Sequence, residues 1–522
     1  MKTKTLTNLC IAFLSIALYG LLWQQKMGLN VVLLTCTTII MRQLIYPHSY
    51  KGFTTILITT MLLLTMLSVL INNSNWSKLI YTCNMLLYIG NMQYKHTTVL
   101  YSIATACHHV IIVFSNIISG IFYLKIPNFQ SKFFNKWKRF LVLPIIICFI
   151  FFILYSTVNG VLLSIVANLV NNCFQYITHF FNYISFESFS FFIFCFQLAC
   201  VLIAVTSNTT YFNKEQQQYL VESRLKPNKY LVKQYVKKSF FAKLLGKYSN
   251  STLALKHSAT VGTISFVFLN ILLLFFNYQD VKYIWLPKQI IILNTMVTFV
   301  HEGTYTLIFT IVLAIGIVVA FFKGNINFYK GNKWLQYTAT IWLVQNAFLT
   351  LSVGKRVMLY IQMYGLAYRR IAVLFFLLAT FVGLITVLIK IYNKKTIFYL
   401  LTINTWFIAI LLTITTTLNW DKLIAIYNIK NCNTVQLDVP FLLTLSSATI
   451  PILESNLPIL VSQYKVTDEQ YQFDREINQD VAKKLIATLA NKKQTFLTEQ
   501  KLLSWYSWNY NDAQLYNILK SK

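Results

Sequence analysis

Acidic side chains are scarce in this chain of 522 residues, where 15 Asp and Glu stand against 45 Lys and Arg. Only 11% of the residues are charged, while a soluble domain carries about 25%. That deficit excludes an ordinary water-soluble globule. Paired cysteines are missing too. The nine cysteines, at positions 10, 36, 83, 107, 148, 173, 195, 200 and 432, are scattered with no CxxC among them. Neither a disulfide scaffold nor a zinc ribbon fits this spacing. No GxxxxGK[ST] loop, GxSxG elbow or GxGxxG turn occurs. His301-Glu302-Gly303 is not the start of an HExxH zinc helix, because Tyr305 stands where the second histidine belongs. No span carries paired acids, as a proton-coupled carrier typically does. No catalytic residue, metal or cofactor is expected.

What the chain has is apolar length: 56% of its residues are hydrophobic and 16% aromatic. A helix needs roughly 20 apolar residues to cross a bilayer. Ile371–Ile389 and Ile397–Leu418 are two such runs. Candidate spans fall at 7–24, 28–46, 54–71, 78–93, 98–124, 140–166, 187–208, 257–277, 299–322, 334–352, 370–391 and 396–418. The expectation is an all-α polytopic transmembrane bundle of about twelve spans, between ten and thirteen, followed by a small helical soluble domain. The weakest span is 78–93, which is short and carries Asn84 and Asn91. The first run, Leu6–Trp23, lacks a small-residue cleavage site and reads as a retained helix.

Charge placement orients these spans. Residues 1–418 hold 34 Lys and Arg against 5 acids, and residues 419–522 hold 11 against 10. The basic excess therefore lies between spans, where it sets orientation and meets anionic phospholipid. Nucleic acid is not the expected partner. The most basic loops, 125–139 and 212–256, carry five and ten cations and are expected in the cytoplasm. Five spans then place the tail outside it. The divisions are 1–211, an N-terminal bundle; 212–256, a basic loop; 257–418, a C-terminal bundle; and 419–522, the helical tail. In the loop, Lys233, Lys237, Lys238, Lys243 and Lys247 alternate with apolar residues. The loop is either an amphipathic helix on an anionic leaflet or a solvated linker.

The tail offers an N-cap at Val466-Thr467-Asp468. An amphipathic helix through Ile477, Val481, Leu485 and Leu489 follows. Trp505, Tyr506, Trp508 and Tyr510 either fill its core or rest at a membrane interface. The tail could also recruit a protein partner.

Ionisable groups inside a membrane are expensive, about 2.5–3.5 kcal/mol each on insertion scales, and tend to be functional. The membrane part has five acids: Glu187, Glu215, Glu222, Asp280 and Glu302. Glu302 opens a span beside His301, either as a first-turn carboxylate suited to the helix dipole or as a proton or ligand contact. His108 and His109 point about 100° apart on a helix, which favours interhelical hydrogen bonds over shared metal ligation. Lys355, Arg356, Tyr360, Tyr364, Arg369 and Arg370 end the 334–352 span, either anchoring headgroups or holding an anionic ligand group.

The run Asn277-Tyr-Gln-Asp280-Val-Lys-Tyr283-Ile-Trp285, then His301-Glu-Gly303, then Arg356-Val-Met-Leu-Tyr360 with Tyr364-Gly365-Leu366 and Arg370, resembles a bacterial membrane family catalogued as domain of unknown function 4173, related to 4153. Asn419-Trp-Asp421 with Ile424, Ala425, Tyr427 and Asn428 fits as well, as does Leu437-Asp438 with Leu443, Leu445-Ser446, Ala448 and Pro451. Trp420 stands where the family pattern has proline, and Ala367 departs from a nearby threonine. The resemblance covers about 257–455 by motif and the N-terminal half by hydropathy alone. It implies a multi-pass protein of a bacterial cytoplasmic (inner) membrane, with no family catalytic residues to carry over. It points to a polar site on one side of the membrane, formed by His301, Glu302, Tyr305, Arg356, Tyr360, Tyr364, Arg369, Arg370, Asn419, Asp421 and Asn428. The reading favoured is a non-enzymatic transporter-like or envelope-sensing protein of unknown ligand. The rivals are an envelope enzyme acting on a lipid-linked substrate, with Glu302 or Asp421 as base, and a scaffold recruiting partners through loop and tail.

Overall fold

A computed structural model describes residues 2–46, 52–122, 171, 186–205, 210–223, 252–286, 293–322, 326, 331–435, 437–467 and 475–521. These are helical throughout, with no strand among the described residues. In chain order they form α1 (Lys2–Leu22), α2 (Leu29–Ile45), α3 (Phe53–Asn72), α4 (Asn75–Gln93), α5 (Val99–Phe122), α6 (Phe186–Ile203), α7 (Thr210–Ser223), α8 (Thr252–Asp280), α9 (Leu293–Phe321), α10 (Lys333–Tyr364), α11 (Tyr368–Tyr392) and α12 (Ile397–Thr415). The tail adds α13 (Trp420–Lys430), α14 (Val439–Thr444), α15 (Ile450–Ser455), α16 (Leu457–Thr467), α17 (Arg475–Leu502) and α18 (Tyr510–Ser521).

Six segments among the described residues are long and apolar enough to cross a membrane: Thr5–Leu22, Phe53–Asn72, Phe186–Ile203, Lys256–Trp285, Tyr368–Tyr392 and Ile397–Thr415. Leu29–Ile45, Val99–Ser115 and Thr306–Phe321 are shorter apolar helices. Of the remaining expected spans, 78–93 and 334–352 lie within α4 and α10, neither of which has that composition. The 140–166 span and the five loop lysines from Lys233 to Lys247 lie outside the described residues.

Two compact units emerge. One comprises Met1–Lys26, Val32–Tyr50 and Ala106–Ser207, and the other Met27–Val31, Lys51–Thr105 and Asn208–Lys522. Residues 51–105 thus fall in the same compact unit as the C-terminal half. In the first unit α1 packs along α6 through aromatic rings: Tyr19 meets Phe192 at 5.7 Å and Trp23 meets Phe191 at 5.1 Å. His109 makes the interhelical bond its position suggested, Nε2 lying 3.1 Å from the Val201 carbonyl.

In the second unit, helix directions follow from hydrogen bonds. Asn270 and Asn277 of α8 donate to the carbonyls of Thr338 and Gln345 of α10, at 2.9 and 3.3 Å. Both pairs are 68 residues apart, so α8 and α10 run parallel with α9 returning between them. The seven-residue step keeps both amides on one seam, as in 3–4 helix packing. Phe266, Leu273, Ile311, Val318, Leu335, Leu343, Val353 and Leu384 fill the core between α8, α9, α10 and α11. The outer surface is apolar as well. Phe268, Leu272 and Phe275 form an exposed stripe along α8, the inverse of a water-soluble helix and a face suited to lipid. Lys390 of α11 is buried and donates to the Phe322 carbonyl at 2.9 Å, capping the end of α9 with a cation where the dipole favours one.

α3, α4 and α12 are joined by polar contacts. Asn84 donates to the Thr413 hydroxyl at 3.0 Å, Asn91 to the Thr55 hydroxyl at 3.0 Å, and Thr416 to the Ser68 hydroxyl at 3.0 Å. The two asparagines that weakened α4 as a membrane span are therefore what bind it to its neighbours. Asn72 donates to the Thr416 and Thr417 carbonyls at 3.1 and 3.0 Å. The C-terminal ends of α3 and α12 thus lie together.

The tail is a helical unit with its own core, in which Ile424, Leu437, Val439, Leu442, Leu453, Leu460, Leu485 and Leu489 gather with Ile371 of α11. Asn419 caps α13 by accepting from Lys422 N at 3.1 Å, and Asp438 caps α14 by accepting from Phe441 N at 3.0 Å. The expected cap at Thr467 is corrected: Thr467 lies within helix α16, and Ile477, Val481, Leu485 and Leu489 lie on α17.

Replacing Asn84 with alanine removes a bond in the least polar environment available. The expected loss is about 0.6–1.7 kcal/mol, read as a lowered unfolding midpoint in detergent or bilayer and an unchanged midpoint for a control at exposed Leu79.

Candidate functional site

Of the residues proposed for one polar site, the structure brings several together at the turn from α10 to α11. The Tyr360 and Tyr364 rings lie 4.7 Å apart, and the Arg370 guanidinium sits 4.5 Å over the Tyr360 ring. Arg370 Nη1 also donates to the Tyr364 carbonyl at 2.7 Å and to the Gly365 carbonyl. It thereby satisfies the last carbonyls of α10 while stacked on an aromatic face. Asn428 of α13 grips the same turn: its Oδ1 accepts from Leu366 N at 2.5 Å and its Nδ2 donates to the Leu366 carbonyl at 2.9 Å. Gly365 makes this possible. Its φ is +79°, and a Cβ there would lie 2.5 Å from Asn428 Oδ1.

Asn419 and Asp421 have local duties on α13. Asp421 Oδ2 accepts from Ser446 N at 3.3 Å. Lys492 of α17 donates to the Leu443 carbonyl at 2.9 Å and to the Leu445 carbonyl. Burial pulls the Lys492 ammonium below its usual range, and nearby Asp421 opposes that pull. Arg369 is exposed. His301, Glu302 and Tyr305 lie within α9, and their side chains fall outside the described residues.

Arg356 is placed differently from its neighbours. The helix does not end with the expected 334–352 span, because α10 continues unbroken to Tyr364. Arg356 therefore sits on a helix, 2% exposed, and its guanidinium donates to Asp280 Oδ1 of α8, which is 3% exposed. A cation buried this deep requires a charged partner, and the parallel helix supplies one. Among the described residues Asp280 Oδ2 has no hydrogen-bond partner, nor do Asn277 Oδ1 and Gln345 Oε1 along the same seam. Directly after Asp280 the helix widens into a π turn, Val281–Trp285, with Leu286 N donating to the Val281 carbonyl at 3.0 Å. Such bulges often mark functional sites. Here the bulge aims the Trp285 indole, which donates to the Ser352 hydroxyl at 3.0 Å. Asp280 stood in the sequence as one of five membrane acids, but its link to Arg356 spans 76 residues and leaves no local signature.

Sequence reasoning missed a second buried pair entirely. His96 and Glu215 are both essentially inaccessible, and His96 Nδ1 pairs with Glu215 Oε2. Glu215 Oε1 accepts from Thr97 N, the Thr97 hydroxyl and Thr98 N, each at 2.9 Å. The carboxylate of α7 thus occupies the N-terminal end of α5, where unpaired backbone donors and the dipole favour an anion. His96 Nε2 lies 2.7 Å from the Thr105 hydroxyl. Phe212 closes over the His96 ring at 6.1 Å. Burial alone pushes the Glu215 carboxyl up, yet the bonds and charge of His96 with those of Thr97 and Thr98 outweigh it and hold it below its ordinary range. Read as a lone acid in a basic loop, Glu215 gave no sign of a partner near residue 96.

The sign of the resulting pH dependence is fixed. A carboxyl depressed in the folded state contributes stability above its unfolded value, about 4.3, and loses it as pH falls through the lower folded value. Unfolding midpoints of the wild type are expected to drop on acidification below about pH 4.3. Those of Glu215→Gln start lower at neutral pH and drop less.

Comparison with curated proteins finds no match, and none is found among solved structures. A family model matches residues 29–456, that of a domain of unknown function, DUF4153. The expected resemblance to 4173 is thereby corrected to its relative, and the match reaches through the N-terminal half that hydropathy alone had linked. The chain belongs to the DUF4153 family.

Proposed function

We propose that this protein is a transporter-like carrier of a bacterial cytoplasmic membrane, with the Asp280–Arg356 pair as the centre that couples solute passage to protonation. The observation that carries this reading is the pair itself. A carboxylate and a guanidinium lie buried between two helices of an apolar bundle, the carboxylate holding one oxygen without a partner among the described residues. Ionisable groups kept at such cost inside a membrane mark ion and substrate pathways. Protonation at Asp280 Oδ2 would discharge the carboxylate and release Arg356 to hold an anionic group. That exchange is the kind of two-state event a carrier needs.

In this proposal the chain crosses the membrane some twelve times, the 212–256 loop faces the cytoplasm, and the turn of Tyr360, Tyr364, Arg370 and Asn428 opens on the other side. The parallel course of α8 and α10, with α9 returning between them, supports this arrangement for the first three of the five helices between loop and tail. His301, Glu302 and Tyr305 belong to the first half of α9, the half nearer the end at which the π turn of α8 lies.

The test is uptake. Wild-type protein, Asp280→Asn and the doubly neutral Asp280→Asn/Arg356→Gln are reconstituted in vesicles under an imposed pH gradient. Each is offered a mixture of labelled organic anions, amino acids and sugars. Gradient-dependent accumulation of at least one class is expected with wild type and is abolished in both folded variants. Equal accumulation with all three, or none with wild type, contradicts the proposal.

A further inference from the structure

We propose that Leu502–Tyr510, the turn between α17 and α18, seats the tail in the phospholipid headgroup region, so that the tail's partner is the bilayer surface itself. This inference is independent of the carrier reading. It rests on two observations that meet at this turn.

The first is where the backbone is held. Leu29 N, at the start of α2, donates to the Trp508 carbonyl at 2.9 Å. Gly28 approaches so closely that a Cβ would lie 2.5 Å from the Ser507 carbonyl oxygen and 2.6 Å from that of Trp508. Just beyond the turn, Asn73 donates to Asp512 at 3.2 Å, and Asn511 donates to Asn72 Oδ1 at 3.1 Å. Asn72 and Asn73 end α3, one of the six helices able to cross a membrane. The turn is therefore fixed at the level where α3 ends. Asn509 is buried and accepts from Asp512 N at 2.9 Å, which holds the turn's shape.

The second observation is what the turn shows on its outside. Leu502 is 82% exposed and Trp505 71%, and Trp508 and Tyr510 are also exposed. These are the side chains whose exposure to water is costliest, at roughly 1.5–3 kcal/mol for a large apolar group. The little tail core closes without them: Phe496, Leu515 and Leu519 pack on Ile450. At the height of a helix end the surrounding medium is the headgroup layer, where indole and phenol rings are enriched because one edge is apolar and the other polar. Trp76, at the start of α4, carries the same signature: it is exposed, and its indole donates to the Thr415 hydroxyl at 3.0 Å, at the end of α12.

Tryptophan quenching tests this in the full-length protein. Wild type, Trp505→Phe and Trp508→Phe are reconstituted in phosphatidylcholine vesicles containing lipids brominated at shallow or deep acyl positions. Phenylalanine keeps an aromatic side chain and removes the indole emission. The difference in emission between wild type and each variant isolates one indole. That difference signal is expected to be lost with shallow bromines and to persist with aqueous iodide. A difference signal lost to iodide and untouched by brominated lipid overturns the proposal. So does one that neither agent reaches, which would mean that protein covers the turn.

Discussion

Hydrocarbon offers no hydrogen bonds, so each polar group carried into it has to find its partner within the protein. Asp280 and Arg356 show what that constraint demands of this molecule. Their helices, α8 and α10, must run parallel and in register for a carboxylate on one to meet a guanidinium on the other. Asn270 and Asn277 secure that register by donating to carbonyls one heptad apart on α10. With α8 and α10 parallel, α9 has to return between them. The pair thus depends on the whole arrangement of α8 through α10, and breaking it from one side leaves a buried charge uncompensated.

The same constraint acts at smaller sites. Glu215 saturates the exposed amides at the start of α5, Lys390 caps α9, and Arg370 caps α10 while Asn428 holds the turn beyond it. In each case a polar or charged side chain completes a helix end, and all but Arg370, which lies within six residues of the carbonyls it caps, come from far along the sequence. These contacts connect the helices more selectively than apolar packing, which is indifferent to rotation and register. Asn84, Asn91 and Ser68 serve α3, α4 and α12 in the same way.

Much of the helical layout was legible in the sequence because apolar length is a direct signal. The runs beginning near residues 7, 54, 187, 257, 370 and 396 all emerge as long apolar helices. Where the reading departed, the cause was polar content whose partner lay elsewhere. The span was expected to end at 352, yet α10 runs on to Tyr364 and carries Arg356 to Asp280. His96 and Glu215 carried no readable motif, since neither spacing nor periodicity links positions 119 apart. The polar turn fared better. Tyr360, Tyr364, Arg370 and Asn428 were grouped by resemblance to a family pattern; Tyr360, Tyr364 and Arg370 lie in contact, and Asn428 bonds the Leu366 backbone of the same turn. Trp505 and Trp508 had two readings, core or interface, and their exposure selects against the core.

The central claim is that Asp280 and Arg356 interact directly inside an apolar bundle, and a double-mutant cycle in bilayers measures this. The measurement compares unfolding free energies of wild type, Asp280→Asn, Arg356→Gln and the double variant. A direct buried pair predicts that each single change is costly, on the order of 3–5 kcal/mol, and that the double variant recovers much of the loss. Additive effects, with a double variant as unstable as the sum of the two singles, would contradict the account.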